Sequence, residues 1–151
     1  MKILDLMILT ILLYTTVYSQ EVTYLKCDSL KTQADMNYCF KENYNRATNE
    51  LEQTWQKVLF SLKRNRQRIN NNVVKDDSEY VKSVIKRQEN IEQSVLMSQN
   101  KWAEYMESNC GIQAALYYGG SMQSMQIDGC KFDIIQQRIK ELLLLIDDLN
   151  K

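Results

Sequence analysis

Proline is absent from this sequence, and so is histidine. Without proline, nothing obliges a helix to break, so long uninterrupted helices are open to the chain. Without histidine, the commonest general base and the commonest metal-ligating nitrogen are both missing. Glycine occurs only four times, with no glycine-rich phosphate loop. An excess of either charge is lacking too. The 19 Lys and Arg balance 19 Asp and Glu, which leaves no basic field for a polyphosphate backbone and makes nucleic acid an unexpected partner.

These absences weigh against an enzyme. The usual nucleophile and base arrangements cannot be assembled, and a pair of carboxylates such as Glu104 and Asp128 acting on a glycoside is the remaining candidate. Ordinary solvated charges explain both residues more simply. The four cysteines form no Cys-x-x-Cys pair, so the close ligand spacing of a structural zinc site is missing. No metal and no other cofactor is expected.

What is present begins with a leader. Met1-Lys2 supplies a positive start, an apolar run follows from Ile3 to about Val17, and Val17-Tyr18-Ser19 offers a peptidase site. Residues 1–19 read as a cleaved signal peptide and residues 20–151 as a single helical domain, secreted or periplasmic. Asp5 interrupts the run, and an uncleaved membrane anchor is the alternative. The run falls short of the roughly 20 apolar residues of a spanning helix, so no stable membrane insertion is expected after cleavage. No cysteine stands at the cleavage point to take a lipid. In an exported chain, an even cysteine count points to disulfides.

Residues 20–31 are polar and read as an extended lead-in tied down by Cys27. Thr32-Gln33-Ala34-Asp35 resembles a capping box. Beyond it, Met36, Phe40, Tyr44, Ala47, Leu51, Trp55, Val58 or Leu59, and Leu62 keep one face apolar, predicting an amphipathic helix over about 33–68. The stretch Asn70 to Asp77 reads as a reversal. A second helix is expected from a cap at Asp76 or Asp77 to about Asn109, with Val81, Val84 or Ile85, Gln88, Ile91, Val95, Trp102 and Tyr105 facing inward and Gly111 closing it. Gln88 and Gln99, on or beside that stripe, are expected to be partly exposed. A third helix, capped by Ser121, is expected to reach Leu149 through Met125, Phe132, Ile135, Ile139 and Leu142.

No period-two alternation competes with these patterns. The expected fold is all-α: an elongated, antiparallel, up-down-up three-helix bundle, with room for a short fourth helical turn at 112–116. Pairing Cys27 with Cys39 and Cys110 with Cys130 would staple the lead-in and the second loop locally, each for roughly 3 kcal/mol. Four cysteines nevertheless allow three connectivities. Of the tail ELLLLIDDL, some leucines between Leu142 and Leu145 are left to be buried by the lead-in or to support a homodimer.

An ordered set of residues then carries a resemblance. Thr32-Gln33-x-x-Met36-Asn37-x-Cys39, Tyr44, Leu51, Gln99-x-x-Trp102-x-x-Tyr105-x-x-x-x-Cys110, Gly119-Gly120-Ser121, Cys130 and Arg138 together resemble the lysozyme inhibitor LprI-like N-terminal domain family. The likeness runs from about Cys27 to Leu145. It implies an exported, disulfide-bonded helical domain of bacterial type. One member of that family is a lysozyme inhibitor and a lipoprotein, whereas most have no demonstrated activity. Two departures stand out: the Arg-Asp pair that many relatives carry before the third cysteine is Met106-Glu107 here, and the lipidated cysteine is missing.

The loop Tyr117, Tyr118, Gly119, Gly120 and Ser121, held between Cys110 and Cys130, is the candidate contact surface. Tyrosines on a pre-ordered loop lose little side-chain entropy on binding. A plainer reading folds them back over the bundle end. The expected partner is a protein, a lysozyme or another peptidoglycan hydrolase whose cleft the loop would cover. The alternative is an envelope or immunity protein that binds another exported toxin or a cell-wall component without inhibiting lysozyme.

Overall fold

The computed structural model describes residues 22–73 and 78–151. Residues 1–19, read as a signal peptide, and the expected cap positions Asp76 and Asp77 therefore lie outside the described residues. Three helices follow in order among them: α1 (Gln33–Val73), α2 (Glu79–Leu116) and α3 (Gln123–Leu149). At 1.5 Å per residue the two longer ones extend about 60 Å and α3 about 40 Å. Antiparallel neighbours are tied by Arg66 to Glu92 between α1 and α2, and by Lys131 to Glu107 between α3 and α2. Asn37 to Ser121 and Asn65 to Leu149 run α1 and α3 parallel, so the path is up-down-up. The helices pack as a bundle with no strand among the described residues.

Thr32 caps α1 as its sequence promised. Its hydroxyl oxygen accepts from the Asp35 N–H at 3.1 Å while the hydroxyl donates to the Asp35 carboxylate at 2.6 Å. The helix outlasts the expected end by several residues and runs through Asn70, because propensity is a weak prior and this last stretch still faces α2, Ile69 lining a pocket together with Ile85. Ser78 caps α2, not Asp76 or Asp77, with its Oγ accepting from the Val81 N–H. Gly111 does not close α2. The helix continues to Leu116 and absorbs the turn expected at 112–116.

α3 is the centre of the bundle and packs along both other helices. Its Ile135, Ile139, Leu142 and Leu149 meet Ala47, Leu51, Val58 and Leu62 of α1 and Met106 and Cys110 of α2. On α1 the line Ala47, Thr54, Ser61 is buried at seven-residue spacing, and such small side chains let a neighbouring backbone come close. Tyr105 was expected in the core and is exposed. The stripe steps four residues from Trp102 to Met106 and four more to Cys110, turning Tyr105 outward. Gln88, expected to be partly exposed, is buried, and its Nε2 donates to the Glu92 carboxylate at 3.1 Å.

The lead-in is a strap. Buried Asn43 accepts from the Leu25 N–H at 2.7 Å and donates to the Leu25 carbonyl at 2.9 Å. Tyr24 donates to Glu50, accepts from Gln136 Nε2, and sets its ring edge-on to Phe132 at 4.9 Å. The strap meets α3 there, short of the leucines it was expected to cover. Leu142 is buried within the bundle instead, and Leu143 and Leu144 stay exposed. Disulfides join Cys27 to Cys39 and Cys110 to Cys130, which settles the connectivity in favour of local pairing.

Candidate functional site

The end of the bundle that carries both disulfides also carries the exposed aromatic loop. Tyr105, Ile112 and Leu116 recur at steps of seven and four, so they share one face of α2, and all three are exposed. The chain then leaves the helix at Tyr117 and turns tightly, with the Gly120 N–H donating to the Tyr117 carbonyl at 3.0 Å. Gly119 takes φ +74, which a residue with a Cβ adopts only at a cost. A Cβ on Gly120 would stand 3.2 Å from the Tyr117 carbonyl oxygen.

Residues far away in sequence hold this turn in place. Asn37 Nδ2 donates to the Ser121 carbonyl at 3.0 Å, and Gln33 Nε2 donates to Asn37 Oδ1 at 2.8 Å. Gln123 accepts from the Gly119 N–H at 3.1 Å. Ser121 therefore does not cap α3 with its side chain; Met122 occupies the cap position and makes no such bond. The outcome for the two tyrosines is divided: Tyr117 is half covered, whereas Tyr118 is 87% exposed and does not fold back.

The other motif residues serve this end or the core. Arg138 Nε donates to Gln99 Oε1 at 3.0 Å, its guanidinium lies 5.8 Å from the Trp102 ring, and it reaches Ser98 and Glu141 as well. Tyr44 lies under the ammonium of Lys41 at 4.8 Å. Leu51 is in the core, and Met36 is partly buried near the cap. At the two positions that depart from the Arg-Asp pair the resemblance implies, Met106 is buried and Glu107 accepts from Lys131 at 2.7 Å.

Glu104 and Asp128 are not brought together as a catalytic pair. Glu104 is engaged by Lys101 on the outside of α2, and Asp128 is buried on α3 with Lys41 at 3.7 Å. Burial raises the Asp128 pKa above the ordinary 3.8, against the opposing pull of Lys41 and Lys131. Among the described residues no group of acidic or cysteine side chains is arranged to hold a metal ion.

A feature that sequence reasoning missed is a pocket of about 440 Å³ at the same end. Phe40, Asn109, Gln113, Gln126, Gly129 and Asp133 are among its lining residues. Its only advance signal was a glycine inside a helical pattern, at Gly129.

A family model described as lysozyme inhibitor LprI matches residues 26–142. The chain belongs to the lysozyme inhibitor LprI family. An uncharacterized protein of Rhizobium meliloti (strain 1021) is 24% identical over 121 residues, covering 80% of this chain and 78% of that protein. No solved structure matches the chain. The span matched to LprI takes in both disulfides, the strap from Lys26 onward and the whole aromatic loop.

Proposed function

We propose that this LprI-family chain is an exported inhibitor of a lysozyme-type peptidoglycan hydrolase, and that it acts through the loop from Tyr117 to Ser121 and the adjoining stripe of Tyr105, Ile112 and Leu116. The observation that carries the reading is the exposure of Tyr118 on a turn already fixed from three sides. A pre-ordered aromatic anchor costs little entropy to dock, and such residues dominate the energetics of interfaces. The stripe gives that anchor an apolar surround. A formal net charge of zero supplies no long-range pull toward a basic enzyme, so contact must rest on local fit.

Export fits the disulfides, which persist in oxidising compartments. No described helix is long and apolar enough to cross a membrane. Residues 1–19 would direct secretion and be removed, leaving Gln20 as the new terminus; amino-terminal sequencing of the secreted chain checks this.

The direct test is lysis of a cell-wall suspension by a hen-type lysozyme in the presence of the purified, oxidised chain. Inhibition at micromolar protein, lost by ten-fold or more (about 1.4 kcal/mol) in Tyr118→Ala, is the expected result. Full lytic activity at that concentration removes this enzyme class as the target and favours an envelope or immunity partner.

A further inference from the structure

We propose that the pocket beside the loop is a receptor for a lysine or arginine side chain of the bound protein, with the carboxylate of Asp133 as its anion and the ring of Phe40 as its aromatic wall. The identity of the partner rests on the function proposed above; the chemistry of the pocket does not.

Position comes first. Asn109 and Gln113 of the pocket wall are on the same two turns of α2 as Ile112, and Met125 and Gln126 follow Met122 at the start of α3. A protein seated on the exposed stripe would lie against the pocket mouth. The volume of about 440 Å³ accepts one long side chain.

The wall suits a cation. At Gly129 a Cβ would stand 3.2 Å from the Phe40 ring, so the absence of a side chain lets the ring settle against α3 and line the cavity. An aromatic face attracts an ammonium or guanidinium. Asn109 turns its amide nitrogen toward Cys130 Sγ at 3.8 Å, which leaves its oxygen as an acceptor, and Gln113 and Gln126 bring further carboxamides.

Charge decides between a cation and a neutral guest such as a sugar. Of the acidic side chains that α2 and α3 carry near this end, Asp128 has Lys41, Glu107 has Lys131 and Glu104 has Lys101 as a basic neighbour. Asp133 has none among the described residues. Its carboxylate is only partly withdrawn from solvent, which raises its pKa, and no neighbouring cation opposes the rise, in contrast to Asp128. A carboxylate in a pocket with an aromatic ring and no counter-charge is complementary to a basic side chain supplied from outside.

The test titrates the oxidised full chain with N-acetyl-arginine amide, N-acetyl-norleucine amide and chitotriose, following backbone amide shifts by NMR. The arginine probe is expected to move the Gly129 and Asp133 signals saturably in the millimolar range, the norleucine probe to leave them in place, and Asp133→Asn to weaken arginine binding about ten-fold. Asp133 is exposed and unpaired, so this variant should melt with the wild type. Shifts produced only by chitotriose would reassign the pocket to a glycan and overturn the proposal, as would an unchanged response in Asp133→Asn. The lysis assay separates the two ideas. An inactive wild type whose pocket still binds arginine loses the inhibitor reading alone, while equal inhibition by wild type and Asp133→Asn, without arginine binding, loses the pocket alone.

Discussion

Gly111 sits inside α2 with open space where a Cβ would be, and it has no positive φ. It serves no turn, so Gly111→Ala should raise stability by about 0.5–1 kcal/mol, read as a higher denaturant midpoint with unchanged slope. Gly119 is its opposite. At φ +74 an alanine is strained, and Gly119→Ala should lower the midpoint by about 1 kcal/mol. In the sequence Gly111 reads as the helix-closing glycine because it follows Cys110 directly. Backbone conformation, which composition does not reveal, places the need at Gly119. Tyr24 gives a third residue-level expectation. Burial, followed by its bond to Glu50, raises the phenol pKa well above the ordinary 10.0. The folded state thus prefers the protonated ring. That stability is complete below pH 10 and is lost as pH climbs through the raised value. Tyr24→Phe should cost about 1–2 kcal/mol at neutral pH by leaving Glu50 and Gln136 without their partner, and should flatten the alkaline fall in a stability-against-pH series.

Among the elements, the strap and α2 show where periodicity is informative and where it stops. Apolar spacing was enough to find three helices and the core residues Ala47, Leu51, Val58, Ile135 and Ile139. It could not find Asn43 or Asn65, which are buried on α1 although polar, because their partners come from distant parts of the chain, nor Thr54 and Ser61, buried on the same helix, of which Thr54 turns its hydroxyl back to the Glu50 carbonyl. Asn43 answers both backbone groups of Leu25, and Asn65 donates to the last carbonyl of α3 at Leu149. Asn43→Ala should accordingly cost about 1–3 kcal/mol, and proteolysis within residues 22–30 should report release of the strap. On α2 a choice between a three- and a four-residue step after Trp102 decided whether Tyr105 or Met106 went inside. Only the position of Cys110 opposite Cys130 resolves it, and that is tertiary information. That the chain turns at Tyr117 to Ser121 was legible from its glycines, whereas the anchoring of that turn by Asn37 and the pocket at the same end were not.

At the scale of the molecule, α3 ends level with Asn65, so among the described residues α1 beyond that point and the first turns of α2 have only each other to pack against. The buried groups there include Gln88 and Glu92, joined to Arg66. Hydrogen exchange should therefore be fastest, among helical amides, over residues 66–71 and 79–90, and slowest over residues 47–62 and 130–142. Fast exchange at 130–142 would show that α3 is not the organising helix. The opposite end is rigid because both disulfides lie there, and that is the end that displays Tyr118.

The two disulfides span 12 and 20 residues and join cysteines that are consecutive along the chain. A polypeptide that crosses a membrane amino terminus first would expose Cys27 and Cys39 well before Cys110 appears, and an oxidant acting in order of emergence would make the native pairs. Such a chain has no call on an isomerase to correct mispaired thiols, so its yield in an oxidising compartment should be insensitive to loss of disulfide shuffling and sensitive only to loss of the primary oxidant.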